Sequence, residues 1–185
     1  MKVLSIVSAV MGVAFIGAAS GADITLYYSP NCPHCHHARD FISGTLIYEY
    51  PTISVTEVNV TNPDNREMFR ETVNKCEFKS GGVPVMVIGE KCMQGYADFM
   101  QNDIRAAVEA DMTDDAKNQA AENKKAMESD ADAFKSANQD RKNAISEFNP
   151  DAKKKSKGLI GGWGWGLLIV LIAGIGFTLV RKEKK

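Results

Sequence analysis

Two cysteines three positions apart are the residues of this sequence best suited to chemistry. They belong to the motif Cys32-Pro33-His34-Cys35, which follows an apolar run ending at Tyr28 and precedes a segment with helical periodicity. Thiols at this spacing on the first turn of a helix can form a disulfide with little movement of the backbone. The motif is therefore predicted to be a redox pair.

The predicted position of Cys32 favours its thiolate form. Exposed N–H groups and the positive end of the dipole at a helix N-terminus stabilise a negative charge there. A protonated His34 adds to this effect. Because a stabilised thiolate means a stabilised reduced form, the oxidised pair would be a good electron acceptor. We expect Cys32 to exchange with the substrate and Cys35 to resolve the mixed disulfide.

The same residues also fit other functions. A bridge across two intervening residues removes little entropy from the unfolded chain, so it would do little as a structural staple. Cys32 to His36 matches the Cys-x-x-Cys-His signature of c-type haem attachment. Zinc or copper ligation by the cysteines with His34, His36 and His37 would suit a redox or metal relay, although these histidines point around a helix. The favoured interpretation needs neither a metal nor a cofactor.

Length and composition fit an exported protein with a membrane anchor. The chain has 185 residues and a formal net charge of -1, so nothing indicates nucleic acid as a partner. Residues 1–22 are predicted to be a secretory signal peptide, with an uncleaved anchor as the alternative. Residues 158–180 are predicted to be a transmembrane helix, and 181–185 a cytoplasmic tail. The cysteines would then face a periplasm or, alternatively, an endomembrane lumen.

The segments around the motif alternate between strand and helix patterns, which predicts one α/β domain over residues 23–110. The predicted strands are 24–28, 53–60, 83–88 and 91–94, and the predicted helices begin at Pro33, Asn62 and Asp98. In the helix that begins at Asp98, the side chains of Phe99, Ile104 and Val108 are expected to face the core.

Three short stretches resemble a known family. These are Leu26 to Cys35, Gly82-Val83-Pro84-Val85 and Gly95-Tyr96. They resemble the glutaredoxin branch of the thioredoxin superfamily. The resemblance implies a central mixed four-stranded sheet with helices on both faces. It also implies a cis bond before Pro84, across from Cys32, and pairing of the backbone beside Val83 with the substrate. The substrate-binding residues that it implies are Val83, Pro84, Gly95, Tyr96 and Asp98.

Two branches of the superfamily imply different partners. Pro-His between the cysteines resembles the exported DsbA-type oxidases and implies exchange with protein or small-molecule thiols. The domain size resembles glutaredoxins, for which glutathione is a co-substrate, but glutathione-dependent members usually carry Lys where this chain has Ser29. We expect the protein to be a membrane-anchored thiol-disulfide oxidoreductase. One candidate partner is a membrane redox protein. A glutathione-dependent reductase is the alternative.

Cys76 and Cys92 are candidates for a second disulfide. Such a bridge would close a loop of about 17 residues and stabilise the fold by about 3 kcal/mol on the entropic model. Two buried free thiols are the alternative, since cysteine is commonly a small core residue.

Residues 111–157 differ in composition from the domain before them. They are rich in Ala, Asp, Glu, Lys and Asn and carry few large apolar side chains. Since Ala, Glu and Lys favour helix, the segment is predicted to be a solvated, largely helical stalk. Fully helical, it would hold the redox pair about 65 Å from the membrane. A coiled coil and partial disorder are the alternatives.

Overall fold

A computed structural model describes residues 22–151 of the chain. Apart from Ala22, the predicted signal peptide lies outside these residues, as do the predicted transmembrane helix 158–180 and the tail 181–185. Within the described part, no helix combines the length and the apolar character that crossing a bilayer requires.

The central strand of the sheet is β1 (Asp23–Tyr28). It pairs in parallel with β2 (Ser54–Asn59) and antiparallel with β3 (Val85–Ile88), which in turn pairs antiparallel with β4 (Lys91–Gln94). Strand β5 (Ile145–Glu147) pairs in parallel with β2 at the other edge. Over the described residues the strand order is β4-β3-β1-β2-β5. The predicted mixed α/β sheet is confirmed, but it has five strands rather than four.

Helices cover both faces of the sheet. Helices α1, α2, α4 and α5 contribute to the larger core with Leu26, whereas α3 packs on the opposite face around Tyr27. The bounds are α1 (Pro33–Phe41), a π-helical turn (Ile42–Leu46), α2 (Ile47–Glu49), α3 (Arg66–Lys75), α4 (Gln101–Glu109), α5 (Asp114–Ser129) and α6 (Ala131–Ala137).

Strand β2 is buried on both faces. Val55 belongs to the larger core and Val58 to the smaller one, and each is 0% exposed. A strand covered on both sides needs apolar residues at odd and even positions alike. The sheet is therefore the middle layer of the fold.

The segment from residue 111 onward differs from the predicted stalk. Its described part is largely helical, as expected, but it packs against the domain instead of extending from it. Ala120 is buried in the larger core, and Met127 and Phe134 contact that core. The apolar residues of this segment are few, yet most of them pack against one of the two cores.

Polar contacts fasten the same segment to the end of α2. Asn123 donates to the Glu49 carbonyl at 3.2 Å, and Arg141 donates to the carbonyls of Ile47 and Tyr50, each at 3.0 Å. The last carbonyls of a helix have no partner within the helix, so these side chains satisfy them. The stalk prediction was wrong because polar residues that suggested a solvated surface make these buried contacts.

The helix predicted from Asp98 begins with a 3₁₀ turn (Asp98–Met100) before α4. Ile104 and Val108 are buried as expected, but the side chain of Phe99 is 83% exposed. A 3₁₀ turn has about 3.0 residues per turn rather than 3.6, so it changes the face on which its residues lie. The inward placement of Phe99 was therefore wrong.

Candidate active site

Cys32 caps the N-terminus of α1. Its backbone is extended, with φ -98 and ψ 113, and the Cys35 N–H donates to the Cys32 sulfur at 3.2 Å. The Cys32 carbonyl accepts from the N–H groups of Cys35 and His36 at 3.0 and 3.2 Å. Pro33 suits the first helical position because it has no N–H to leave unpaired. The predicted location of Cys32 at a helix N-terminus is confirmed.

The structure joins Cys32 and Cys35 in a disulfide, with their Cα atoms 5.2 Å apart. Cys32 is half-buried, whereas Cys35 is 1% exposed and belongs to the larger core. A partner molecule can therefore approach Cys32 more easily than Cys35. This asymmetry suits attack at Cys32 and internal resolution by Cys35.

The segment before β3 lies directly against the redox pair. The Val83–Pro84 peptide bond is cis, as the family resemblance implied. The Val83 carbonyl oxygen lies 3.5 Å from the Cys32 sulfur. A sulfur in a disulfide has no proton to donate, so this approach is a contact rather than a hydrogen bond. A hydrogen bond also holds Pro84 in place, since its carbonyl accepts from the Gly95 N–H at 2.8 Å.

A shallow cavity of about 220 Å³ opens beside α1 and is lined by His34, His37, Tyr96, Ala97 and Asp98. Burial raises the pKa of Tyr96, whose hydroxyl accepts from the Gln101 amide at 3.0 Å. Gly95 before it has φ +82, a conformation that favours glycine.

The structure brings the predicted site residues together in two groups. Val83 contacts Cys32, whereas Tyr96 and Asp98 meet His34 across the cavity. His36 lies elsewhere, since its Nε2 is 2.8 Å from the Pro30 carbonyl. Over residues 22–151 no three or more His, Cys, Asp or Glu side chains are arranged as metal ligands.

Cys76 and Cys92 form the second disulfide, with Cα atoms 5.7 Å apart. Cys76 is the C-cap of α3, and Cys92 lies in the edge strand β4. Of the two options open from the sequence, the structure shows the bridge. It closes a loop that contains Val83, so it ties the ends of the segment that faces Cys32.

Gln94, for which the sequence carries no functional signal, supports the site. Its amide nitrogen donates to the carbonyls of Ser80 and Gly82, at 2.8 and 2.9 Å. A glutamine in a short strand carries no sequence signal for such a role, because both partners depend on how the preceding loop folds.

A polar network that the sequence did not reveal lies behind α1. Arg39 forms an ion pair with Glu57 of β2, and its guanidinium stacks 4.6 Å above the Tyr28 ring. The Tyr28 hydroxyl donates to Glu147 of β5 at 3.0 Å. Burial and this hydrogen bond raise the pKa of Tyr28. The network connects the redox helix with three strands of the sheet.

The mixed sheet, the cysteine pair at the start of α1 and the cis bond opposite Cys32 are consistent with a thioredoxin-like fold. No protein-family model matches the chain, and neither does any curated protein. Among solved structures, it is similar to a glutaredoxin from Archaeoglobus fulgidus. The two share 18% identity over 51% of this chain and 97% of that chain, with a TM-score of 0.36. A similarity of this size assigns no function.

Proposed function

We propose that this protein is a thiol-disulfide oxidoreductase with Cys32 and Cys35 as its redox pair. The observation that carries the proposal is the Cys35 N–H, which donates to the Cys32 sulfur at 3.2 Å at the start of α1. A thiolate in this position keeps that donor and gains the field of the helix N-terminus. The arrangement therefore stabilises the reduced form of the pair.

In the oxidising direction, a substrate thiolate attacks the Cys32 sulfur. A bond forms between the two sulfurs while the Cys32–Cys35 bond breaks, and Cys35 leaves as a thiolate and takes up a proton. A second substrate thiolate then attacks the substrate sulfur of the mixed disulfide and releases Cys32 as a thiolate. Two electrons pass from the substrate dithiol to the protein. The reducing direction is the reverse.

The substrates that we propose are protein or small-molecule thiols and disulfides. The Val83 carbonyl lies 3.5 Å from the half-buried Cys32, and the cavity lined by His34, Tyr96 and Asp98 opens at the same helix, α1. An extended chain could place its sulfur at Cys32 while its backbone follows Val83. His34, in the same proposal, stabilises the thiolate.

We further propose that the redox pair works on the exported side of a membrane, in a periplasm or an endomembrane lumen. The support is the apolar character of residues 1–22 and 158–180 and the pairing of all four cysteines. Because the domain extends to Phe148, whose N–H donates to the Glu57 carbonyl at 2.8 Å, residues 149–157 would be the connection to the membrane segment. The pair would then work nearer the bilayer than a stalk over 111–157 would hold it.

Two serine variants test the proposal. Cys32→Ser is expected to abolish exchange. With a disulfide substrate, in the reducing direction, Cys35→Ser is expected to accumulate a mixed disulfide at Cys32 because the resolving thiol is missing. Turnover that persists in Cys32→Ser would contradict the assigned roles. The reduction potential separates the substrate classes, since about -120 mV indicates an oxidase of protein thiols and about -200 to -230 mV a glutathione-linked reductase.

A further inference from the structure

We propose that Gln94 is a positioning residue that holds the loop 77–83 against β4 and so orients the Val83 backbone beside Cys32. The inference rests on the proposed function, because it concerns how a substrate chain meets the redox pair. It identifies the favoured substrate as a polypeptide dithiol rather than a small thiol.

The Gln94 side chain holds two carbonyls of the loop at once. Its amide nitrogen lies 2.8 Å from the Ser80 oxygen and 2.9 Å from the Gly82 oxygen. A carboxamide nitrogen has two N–H groups, so one side chain satisfies both acceptors. The loop is otherwise exposed at Ser80, Gly81 and Gly82, where two glycines leave the backbone free to adopt other conformations.

The hydrogen bond to Gly82 sets the direction of the Val83 N–H. In a planar trans peptide, the carbonyl of one residue and the N–H of the next point to opposite sides. The Gly82 carbonyl points to Gln94, so the Val83 N–H points away from it. The next carbonyl, that of Val83, lies 3.5 Å from the Cys32 sulfur. The Gln94 amide thus fixes the direction of the Val83 N–H, while the Val83 carbonyl belongs to the cis peptide bond before Pro84, whose own carbonyl accepts from the Gly95 N–H.

Strand β4, which carries Gln94, also anchors the loop 77–83 at its start, and the residue after this strand anchors the chain just beyond the end of the loop. Cys92 is two residues before Gln94, on the same face of β4, and its disulfide holds Cys76 at the end of α3. Beyond the loop, the Gly95 N–H donates to the Pro84 carbonyl at 2.8 Å. A substrate chain therefore meets a loop that is already ordered, and it loses less conformational entropy on binding.

This geometry favours polypeptide substrates. A chain that lies along Val83 can use the fixed N–H and carbonyl for main-chain hydrogen bonds, as peptides do at a strand edge. A small thiol needs only access to the Cys32 sulfur. Loss of the Gln94 hydrogen bonds should therefore weaken reaction with a peptide more than reaction with a small thiol.

The test uses Gln94→Met, which keeps the length of the side chain but removes both donors. The fully oxidised protein is mixed, in single turnovers, with a reduced peptide of ten residues containing two cysteines, and separately with cysteamine. For Gln94→Met, we expect the peptide's second-order rate constant to fall about tenfold more than that of cysteamine, through a higher half-saturation concentration.

Two further variants and a matched control sharpen the result. Gln94→Glu places a carboxylate against two carbonyls and should be the slowest with the peptide, whereas Gln94→Lys restores donors and should recover much of the rate. Gln139→Met changes an exposed glutamine outside the site and should match the unmodified protein. Equal losses with peptide and cysteamine, or no loss, would overturn the inference.

Backbone order parameters from NMR relaxation separate this inference from the proposed function. Gln94→Met should lower the order parameters of the amides at 80–83, whether or not the peptide is a substrate. The pair Cys76→Ser and Cys92→Ser should lower them at 77–79. Unchanged order parameters at 80–83 would show that Gln94 does not hold the loop. A protein that reacts with cysteamine but never with the peptide would contradict the substrate class inferred here, whereas a protein that reacts with neither would contradict the proposed function.

Discussion

Glu57 on β2 accepts two hydrogen bonds from the guanidinium of Arg39 on α1, at 2.7 and 3.0 Å. The Glu57 side chain is 7% exposed and that of Arg39 is 36% exposed. Arg39 lies one helical turn after Cys35, so the pair fastens the redox helix to the sheet. The hydrogen bond to Glu57 raises the pKa of Arg39. Replacement of Glu57 should therefore destabilise the fold at the base of the active site.

Glu57→Gln is expected to lower the free energy of unfolding by about 2 kcal/mol, since it weakens a charged hydrogen-bonded pair that is only partly screened by solvent. Urea unfolding measures the change. The control is Glu67→Gln, which breaks the exposed pair with Arg70 and should cost less than about 0.5 kcal/mol. Similar losses in both variants would contradict a special role for the Arg39 pair.

Reduced Cys32 is expected to ionise below the ordinary thiol pKa of about 8.5, because the Cys35 N–H and the start of α1 stabilise its thiolate. The pH dependence of alkylation by iodoacetamide measures this pKa. His34→Ala should raise it and shift the reduction potential of the pair by about -30 mV, a tenfold change in its equilibrium constant. The control is His36→Ala, because the His36 ring contacts the Pro30 carbonyl rather than the redox pair. Equal shifts in both variants would remove His34 from its assigned role.

Much of the redox site could be predicted because its signals are local. Turn residues after a strand, and Pro33 at the first helical position, identify the start of α1 from neighbouring residues alone. The same holds for α3. A 3₁₀ turn precedes this helix, and Asn62 caps that turn by accepting from the Asp64 N–H at 3.1 Å. Apolar periodicity also indicates the inner face of α1, where Ala38 and Phe41 are buried, whereas no residue of α3 is fully buried.

The rest depends on contacts between residues far apart in the chain. Arg141 and Ile47 are separated by 94 positions. A polar sequence such as the one around Arg141 fits a solvated segment and a segment packed on the domain equally well, so it does not reveal the packing. Gln94 carries no signal for its loop contacts. Phe99 was misplaced because apolar periodicity assumes a regular α-helix, and the element begins with a 3₁₀ turn.

Arg141→Met should measure how much the C-terminal segment stabilises the domain. It removes the donors to the Ile47 and Tyr50 carbonyls, and we expect a loss of about 2 kcal/mol because two hydrogen bonds from a charged group disappear and the Tyr50 carbonyl keeps only the Ile53 N–H, at 3.4 Å. Thermal unfolding provides the readout. Lys142→Met is the matched control, since Lys142 is exposed. If both variants melt alike, the segment does not depend on Arg141 for its attachment.

Stability at alkaline pH should depend on Tyr50. Burial, followed by the hydrogen bond that its hydroxyl donates to Glu109 at 2.5 Å, raises the pKa of Tyr50. The folded state therefore holds this proton more tightly than the unfolded state, where tyrosine ionises near pH 10. The resulting stabilisation is fully present below about pH 10 and is lost as the pH rises from there towards the folded-state pKa.

Tyr50→Phe is expected to reduce that loss, because phenylalanine has no proton to release. Urea midpoints from about pH 8 to 11 would show a shallower decline in the variant, although its stability at neutral pH falls with the lost hydrogen bond. Some decline should remain, since burial also raises the pKa values of Tyr28 and Tyr96. A decline as steep as that of the unmodified protein would mean that Tyr50 does not control the alkaline limit.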